Sequence, residues 1–369
     1  MATMSQIDHL LERAVRTKQN IRFLSKPGIG KTTKIMQFIA RKKQENPDFY
    51  AAVYDGGTMS PSDLIMAMPN VGNGTIDKLT DADLPNFYET PDLVGVIYFG
   101  EWQLMGLETA KGAQKIINHE DYAVGKRIPP GVICVADGQR LVDRSGAQAD
   151  SRAIARRFTT YTMDMDAEYG LDVAKAHFHT KVAAFLIRNP GQLDNYEDVF
   201  EKERSANDLT LQEGKHGAWA YLGSWAKVSD VLFDGERSGA VVYPEELQAC
   251  LGSGVANSFE IFCQMLDKLA TMEDIIAHPD KALVPDRMDE MYALATMLAL
   301  TVNVESFKPI AIYQQRYPDE LQAVFFRLMN DRLTKNKTAE TAIIRGTKEY
   351  KEWITAKHIT KLLIGATQS

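Results

Sequence analysis

Two kinds of hydrophobic spacing divide the chain. Over the first 165 residues, short apolar runs at 21–24, 49–54, 94–99, 132–136 and 158–163 alternate with helical or loop stretches. Apolar runs too short for helices, with helices between them, predict a parallel sheet buried on both faces. Residues 4–18 read as an amphipathic helix, with Ile7, Leu10, Leu11, Ala14 and Val15 on one face. Residues 32–43 read as a second, with Ile35, Met36 and Ile39 aligned. The stretch 56–93 is rich in Gly, Pro, Asn and Asp and is expected to be irregular. After Asp164 the strand-like runs stop. Helical spacing then predicts helices over 166–178, 181–188, 224–233, 245–268, 286–302, 319–333 and 338–362. The polar segment 202–217 reads as an exposed loop, and the Pro/Asp-rich stretch 278–286 as a boundary.

Between the first apolar run and the helix that follows it lies Ser25-Lys26-Pro27-Gly28-Ile29-Gly30-Lys31-Thr32-Thr33. Strand, Gly-rich turn and helix in that order form a phosphate-binding loop. Glycines let backbone N–H groups close on phosphate oxygens, and the helix N-terminus adds partial positive charge. Pro27, Gly28, Ile29, Gly30, Lys31, Thr32 and Thr33 are therefore the expected ATP/ADP-binding residues. Lys31 is assigned to the terminal phosphates, and Thr32 to Mg²⁺. One departure from G-x-x-x-x-G-K-[ST] stands at its first glycine, which here is Ser25.

Composition narrows the class. The chain has 369 residues, 45% of them hydrophobic and 25% charged. That is enough for about two domains with cores of their own. A net charge of -7 argues against a dominant nucleic-acid footprint. Ten Lys/Arg against three Asp/Glu in residues 1–45 fit a phosphate-binding end. Cys134, Cys250 and Cys263 show no paired spacing and suit a reducing compartment. No apolar run is long enough to span a bilayer and no signal sequence is recognisable, so a cytoplasmic protein is expected.

A P-loop ATPase needs a second strand that ends in acidic residues. The run 94–99 is followed by Gly100-Glu101, which makes Glu101 the expected water-orienting carboxylate. Beyond this point the chain resembles the MoxR-type AAA+ ATPases of bacteria and their phages. The likeness is carried by Asp55-Gly56-Gly57-Thr58 with Ser62-Asp63-Leu64, and by Pro130-Gly131-Val132-Ile133-Cys134-Val135-Ala136-Asp137-Gly138-Gln139-Arg140 with Asp143-Arg144-Ser145. Ala153-Ile154-Ala155-Arg156-Arg157-Phe158, Val182-Ala183-Ala184-Phe185-Leu186 with Asn189-Pro190, and Ser224-Trp225-Ala226-Lys227-Val228-Ser229 continue it in the family order. Together these span about residues 19–270.

The resemblance implies a five-stranded αβα AAA+ core over 1–165, a helical lid over 166–270 and a C-terminal helical extension over 271–369. It implies a hexameric ring with nucleotide between subunits, and Arg157 as the finger reaching the next subunit, with Arg156 as the alternative. Gln139 falls on the sensor-1 position. It also implies a remodelled protein partner, of which von Willebrand A-type metal-binding proteins are the family's frequent example. The segment 119–126 reads either as a pore-facing insert or as a surface hairpin. Two departures touch the chemistry. The aspartate expected before Glu101 is Gly100, and the sensor-2 arginine is Gly223. Asp55 or Asp137 could supply a substitute carboxylate, and an aspartate restored at 100 is expected to raise hydrolysis if the strand accepts it. The alternative is a nucleotide-stabilised assembly protein with slow or no hydrolysis. His177-Phe178-His179 lacks partners at metal-ligand spacing and is read as packing, and Trp225 is kept as a site-lining candidate.

Overall fold

The computed structural model describes residues 1–70, 72–123, 126–143, 152–199, 218–335 and 339–355. The predicted loop 202–217, Arg144-Ser145, and the final part of the helix expected over 338–362 lie outside them. The chain forms two compact units, Met1–Asp166 and Ala167–Ser369.

The first unit is built on one sheet of six parallel strands. Their order is β1 (Ala2–Thr3), β10 (Thr159–Asp164), β2 (Ile21–Ser25), β9 (Gly131–Gln139), β6 (Val94–Gly100) and β3 (Tyr50–Asp55). The five longer strands coincide with the five apolar runs, and β1 adds a two-residue edge. Residues 96–99 of β6 and 132–136 of β9 are all buried, as a sheet covered on both sides demands. Alternation sends Ile97, Phe99, Val132, Cys134 and Ala136 to one face. There they pack with Ala113, Ile116 and Ile117 of helix α3 (Leu107–Ile117) and with Trp102 and Phe158. The opposite face carries Val96, Tyr98, Ile133, Val135 and Asp137. On this side α1 (Ile7–Thr17) packs against α2 (Lys31–Glu45) and crosses β9 and β6. Helix α4 (Arg152–Ala155) leads into β10.

Two features depart from the sequence reading. The stretch 56–93 contains an antiparallel hairpin, β4 (Ile65–Asn70) with β5 (Thr75–Thr80), turning through Gly74 at φ 63°. Pro69 sits inside β4, where a proline normally argues against a strand; an isolated hairpin has free edges that tolerate it. Helix α3 was not expected because its apolar stripe is partly alanine, which contributes little to a hydrophobic pattern. The segment around 119–126 does form a short hairpin, β7 (Asp121–Ala123) with β8 (Lys126–Arg127).

The second unit is helical among its described residues. It contains α5 (Ala167–His177), α6 (Thr180–Arg188), α7 (Leu222–Ser238), α8 (Pro244–Leu251), α9 (Ser253–Leu266), α10 (Met272–Ala277), α11 (Met288–Thr301), α12 (Phe307–Gln314), α13 (Asp319–Lys335), α14 (Ala339–Gly346) and α15 (Lys348–Thr355). Helix α6 packs on α11, and α11 on α13. A core running from Ile275 to Trp353 also takes in Ile187 of α6 and Leu269. Trp225 is fully buried among Phe185 and Phe259, with its indole N–H given to the Gln192 carbonyl at 2.9 Å, so it is core and lines no site. His179 is also structural. Its Nδ1 accepts the Lys181 N–H at 3.2 Å at the start of α6, and its Nε2 meets Glu236 at 2.9 Å. Among the described residues no group of His, Cys, Asp and Glu could hold a metal by itself, no helix is long and apolar enough to cross a membrane, and the three cysteines are unpaired.

The helix expected over 245–268 is two helices, because Gly252 adopts φ 76° and ψ 154° between α8 and α9. A Cβ there would lie 2.5 Å from the Ala218 carbonyl oxygen. Replacing Gly252 by Ala should therefore destabilise the second unit by about 1 kcal/mol or more. Thermal melting checks this, with Gly254→Ala as the control, since a Cβ at Gly254 meets open space.

Candidate functional site

The site gathers where β2, β9 and β6 end, on the face that carries Tyr98 and Asp137. The loop after β2 is shaped by two left-handed glycines, Gly28 at φ 77° and Gly30 at φ 92°. Only glycine takes such angles without strain, and this is the backbone reason for the Gly-x-Gly spacing. Gly30 caps α2 without a side chain, so the first amides of a 15-residue helix face the loop. Lys31 is only 6% exposed. Its ammonium donates to Ser25 Oγ at 2.6 Å, and the Ser25 hydroxyl in turn donates to the Lys26 carbonyl at 2.6 Å. The serine standing where the motif has glycine thus holds Lys31 over the loop. Burial lowers the Lys31 pKa, and the charges of Asp137, Glu101 and Asp143 oppose that shift.

Asp137 was one of two candidate replacements for the missing carboxylate. The register pairs it with Phe23 on β2, two residues before Ser25. The side chain is wholly buried. Its Oδ2 accepts the Thr32 hydroxyl at 3.0 Å, and its Oδ1 accepts the Glu101 N–H at 2.8 Å. One carboxylate therefore ties the first turn of α2 to the expected water-orienting residue. Asp55, the other candidate, accepts the Gly57 N–H at 2.9 Å within its own turn.

Glu101 stands just past β6 in the left-handed conformation, φ 47° and ψ 42°. For a residue with a Cβ this costs about 1–2 kcal/mol, and such strain gathers at functional positions. Gln139 donates its amide to Glu101 Oε2 at 3.4 Å. Burial first and the Asp137 charge second hold the Glu101 carboxyl above the usual carboxylate range, with Lys31 opposing. Arg140 and the buried Asp143 form a bidentate pair at 3.0 and 2.7 Å, and both act electrostatically on Lys31. Sequence reasoning gave them no role, although an i,i+3 pair directly after Gln139 was visible.

Gly100 is not vacant space. A Cβ there would meet the Tyr98 hydroxyl at 3.3 Å. Tyr98 is 1% exposed, and its hydroxyl is buried beside Asp137 and Thr32 without a well-formed hydrogen bond among the described residues. Burial, with the Asp137 charge next, drives the phenol far above its ordinary value.

Lys31, Thr32, Glu101 and Gln139 are thus brought together, while Arg157 is not with them. It precedes β10, whose Thr159 pairs with Ile21 at the opposite end of the sheet. Four residues of strand, about 13 Å, separate that end from Ser25. Its Nε donates to Asn118 Oδ1, and Arg156 is exposed. Gly223 lies in the second unit, where a Cβ would come within 2.6 Å of the Tyr221 ring.

The oxygen donors on Thr32 and Asp137, with the glycine-shaped loop and Lys31, are the set that Mg²⁺ and a nucleotide triphosphate tail require. No protein-family description matches the chain, and no curated protein does. Among solved structures, it is similar to a RuvB point mutant from Thermotoga maritima at 12% identity, over 75% of each chain, with a TM-score of 0.35. It is also similar to a candidate ATPase from Cytophaga hutchinsonii at 11% identity, over 92% of this chain and 87% of that one, with a TM-score of 0.32. Likeness of this degree carries no functional argument. The sheet order and the loop between β2 and α2 themselves show an αβα P-loop fold.

Three outcomes follow from this geometry. If turnover needs ionised Glu101, activity should fall on acidification at a pH above the ordinary glutamate value of about 4.3. A pH–rate profile of kcat locates that limb, and Glu101→Gln should bind ATP yet lose at least about tenfold in turnover. Gly100→Asp in the otherwise unchanged chain should lower the melting temperature rather than raise turnover. It crowds Tyr98 and adds a second carboxylate beside Asp137. Melting and ATPase assays on one sample check it.

Proposed function

We propose that the chain is an ATP-binding AAA+ protein of MoxR type, which assembles into a ring and couples ATP binding and hydrolysis to remodelling a partner protein. The observation that carries this reading is the convergence of Lys31, Thr32, Asp137, Glu101 and Gln139 at the ends of adjacent strands. Lys31 would neutralise charge on the terminal phosphates, and the α2 amides would cradle them. Glu101 would accept the proton of the attacking water, with Gln139 holding its carboxylate in place. Bound Mg²⁺ would supply electrostatic stabilisation of the phosphate oxygens. In a ring, Arg157 or the exposed Arg156 would present its guanidinium to the neighbour's nucleotide. Their place at the far end of the sheet from their own loop suits that role better than a role in cis. The hexamer and a von Willebrand A-type partner rest on the sequence resemblance alone, and the cytoplasmic setting on the unpaired cysteine spacing and the lack of a recognisable signal sequence.

A second reading is an assembly protein that uses nucleotide as glue. The Tyr221 ring against Gly223 and the Tyr98 hydroxyl against Gly100 favour it, since a charged side chain at either position would have to displace a tyrosine. A nucleic-acid motor is disfavoured by the net charge of -7.

The two readings separate on one sample. Steady-state phosphate release together with an ATP-dependent rise in mass supports the first; a rise in mass without release supports the second. Lys31→Ala should abolish tight nucleotide binding in calorimetry under either reading, and unchanged affinity would remove the site.

A further inference from the structure

We propose that Asp137, delivered from β9, is the carboxylate that holds the Mg²⁺ coordination shell, replacing the one missing at Gly100, and that Tyr98 is the residue that closes the old position. This inference rests on the nucleotide-site reading above. Three observations on neighbouring strands support it.

The first is the proton of Thr32. A hydroxyl that gives its oxygen lone pair to a cation must send its hydrogen elsewhere. Asp137 Oδ2, 3.0 Å away, is the acceptor. The second is the state of the carboxylate. Asp137 is fully buried; its carboxylate accepts two hydrogen bonds from neutral donors, and the Lys31 charge acts on it electrostatically. Lys31, whose ammonium donates to Ser25, is shared electrostatically with Glu101 and Asp143, so it does not neutralise Asp137 alone. A buried carboxylate is costly unless it is paired or faces a metal. A divalent cation held through water or directly, as Mg²⁺ commonly is by one or two carboxylates, provides that pairing.

The third is the Tyr98 hydroxyl. It is buried, lacks a well-formed hydrogen bond and points into the space that a side chain at 100 would take. Residues 98 and 100 share a face of β6, and β9 is the next strand. An aspartate on β6 and one on β9 therefore compete for one location. Having both would place two carboxylates together, and having neither would leave Thr32 without its acceptor. The chain has one, on the neighbouring strand, with a tyrosine filling the remainder.

The test is calorimetric binding of ADP with Mg²⁺ and with EDTA, which needs no turnover. Wild-type protein should bind at least about tenfold tighter with Mg²⁺. Asp137→Asn, which keeps shape and one hydrogen-bonding oxygen, should lose that gain, read as the ratio of the variant's own affinities with Mg²⁺ and with EDTA so that any loss of Mg²⁺-free affinity cancels. The triple variant Tyr98→Phe, Gly100→Asp, Asp137→Asn should regain it, and a folded triple variant without recovery would remove the role given to Tyr98. A Mg²⁺ gain retained in Asp137→Asn, or absent from wild type that binds ADP, would overturn the assignment while leaving the nucleotide site standing. Wild type that binds no ADP under either condition would instead remove the nucleotide-site reading. If Asp137→Asn does not fold, wild-type protein answers. With Mn²⁺ and ADP bound, ¹³C in aspartate carboxyls should show hyperfine coupling to the metal, and no coupling overturns the proposal.

Discussion

The candidate site depends on a single buried carboxylate that serves two strands and a helix at once. Asp137 takes the Thr32 hydroxyl with one oxygen and the Glu101 amide with the other. The first contact fixes the start of α2 against the sheet, and with it the loop whose glycines must face phosphate. The second fixes the backbone of Glu101 immediately past β6. Without it, the left-handed Glu101 would have no hydrogen bond to hold its amide. A charge-assisted hydrogen bond is worth about 1.5–3 kcal/mol, comparable to the roughly 1–2 kcal/mol that the strained conformation costs. The two terms roughly offset, so Asp137 compensates the strain it helps to hold in place.

The same region explains why the chain turns so tightly after β3. Gly56 donates its N–H to the Gly100 carbonyl at 2.7 Å, and a Cβ on it would meet the carbonyl oxygens of Gly100 and Glu101 at 2.9 and 2.8 Å. The end of β3 thus presses directly on the backbone that presents Glu101. Strand end, glycine and strained glutamate form one unit. A disturbance at 56 would reach Glu101 through backbone contact, without touching the phosphate loop directly.

Much of this was legible in the sequence. Five apolar runs gave the five longer strands because a sheet covered on both faces leaves no polar alternation to confuse them. Lys31, Thr32 and Glu101 were visible because motif spacing reflects local backbone geometry, which short sequence patterns encode, and Gln139 through the family resemblance. What stayed hidden depends on registers between strands. Nothing in 94–100 or 131–139 alone states that Tyr98 and Asp137 meet; that follows only once β6 lies beside β9 in one particular alignment. The same limit kept Asp55 and Asp137 equivalent as replacements. Local chemistry misled at Pro69, where a proline in a free hairpin looked like a loop, and at Gly252, whose close approach to Ala218 is not local. Trp225 looked available and is core, since an aromatic at helical spacing carries no sign of whether its polar edge meets a ligand or, as here, a carbonyl.

The departures at 100 and 223 differ in kind, and the difference bears on which reading of function fits. At 100 the carboxylate that the sequence resemblance implies is absent, while Asp137 stands on the next strand and the uncharged Tyr98 lies beside both. Binding alone would be served by Lys31, the glycines and the α2 amides. It gives no reason to keep a glutamate in a strained backbone conformation, to hold its carboxyl above the usual range by burial, or to set a glutamine amide against it. Those features cost stability and return something only if the carboxylate handles a proton. At 223 the side chain is absent and the Tyr221 ring lies against the position. The chemistry of the first unit therefore favours the reading in which nucleotide is hydrolysed over one in which it only binds.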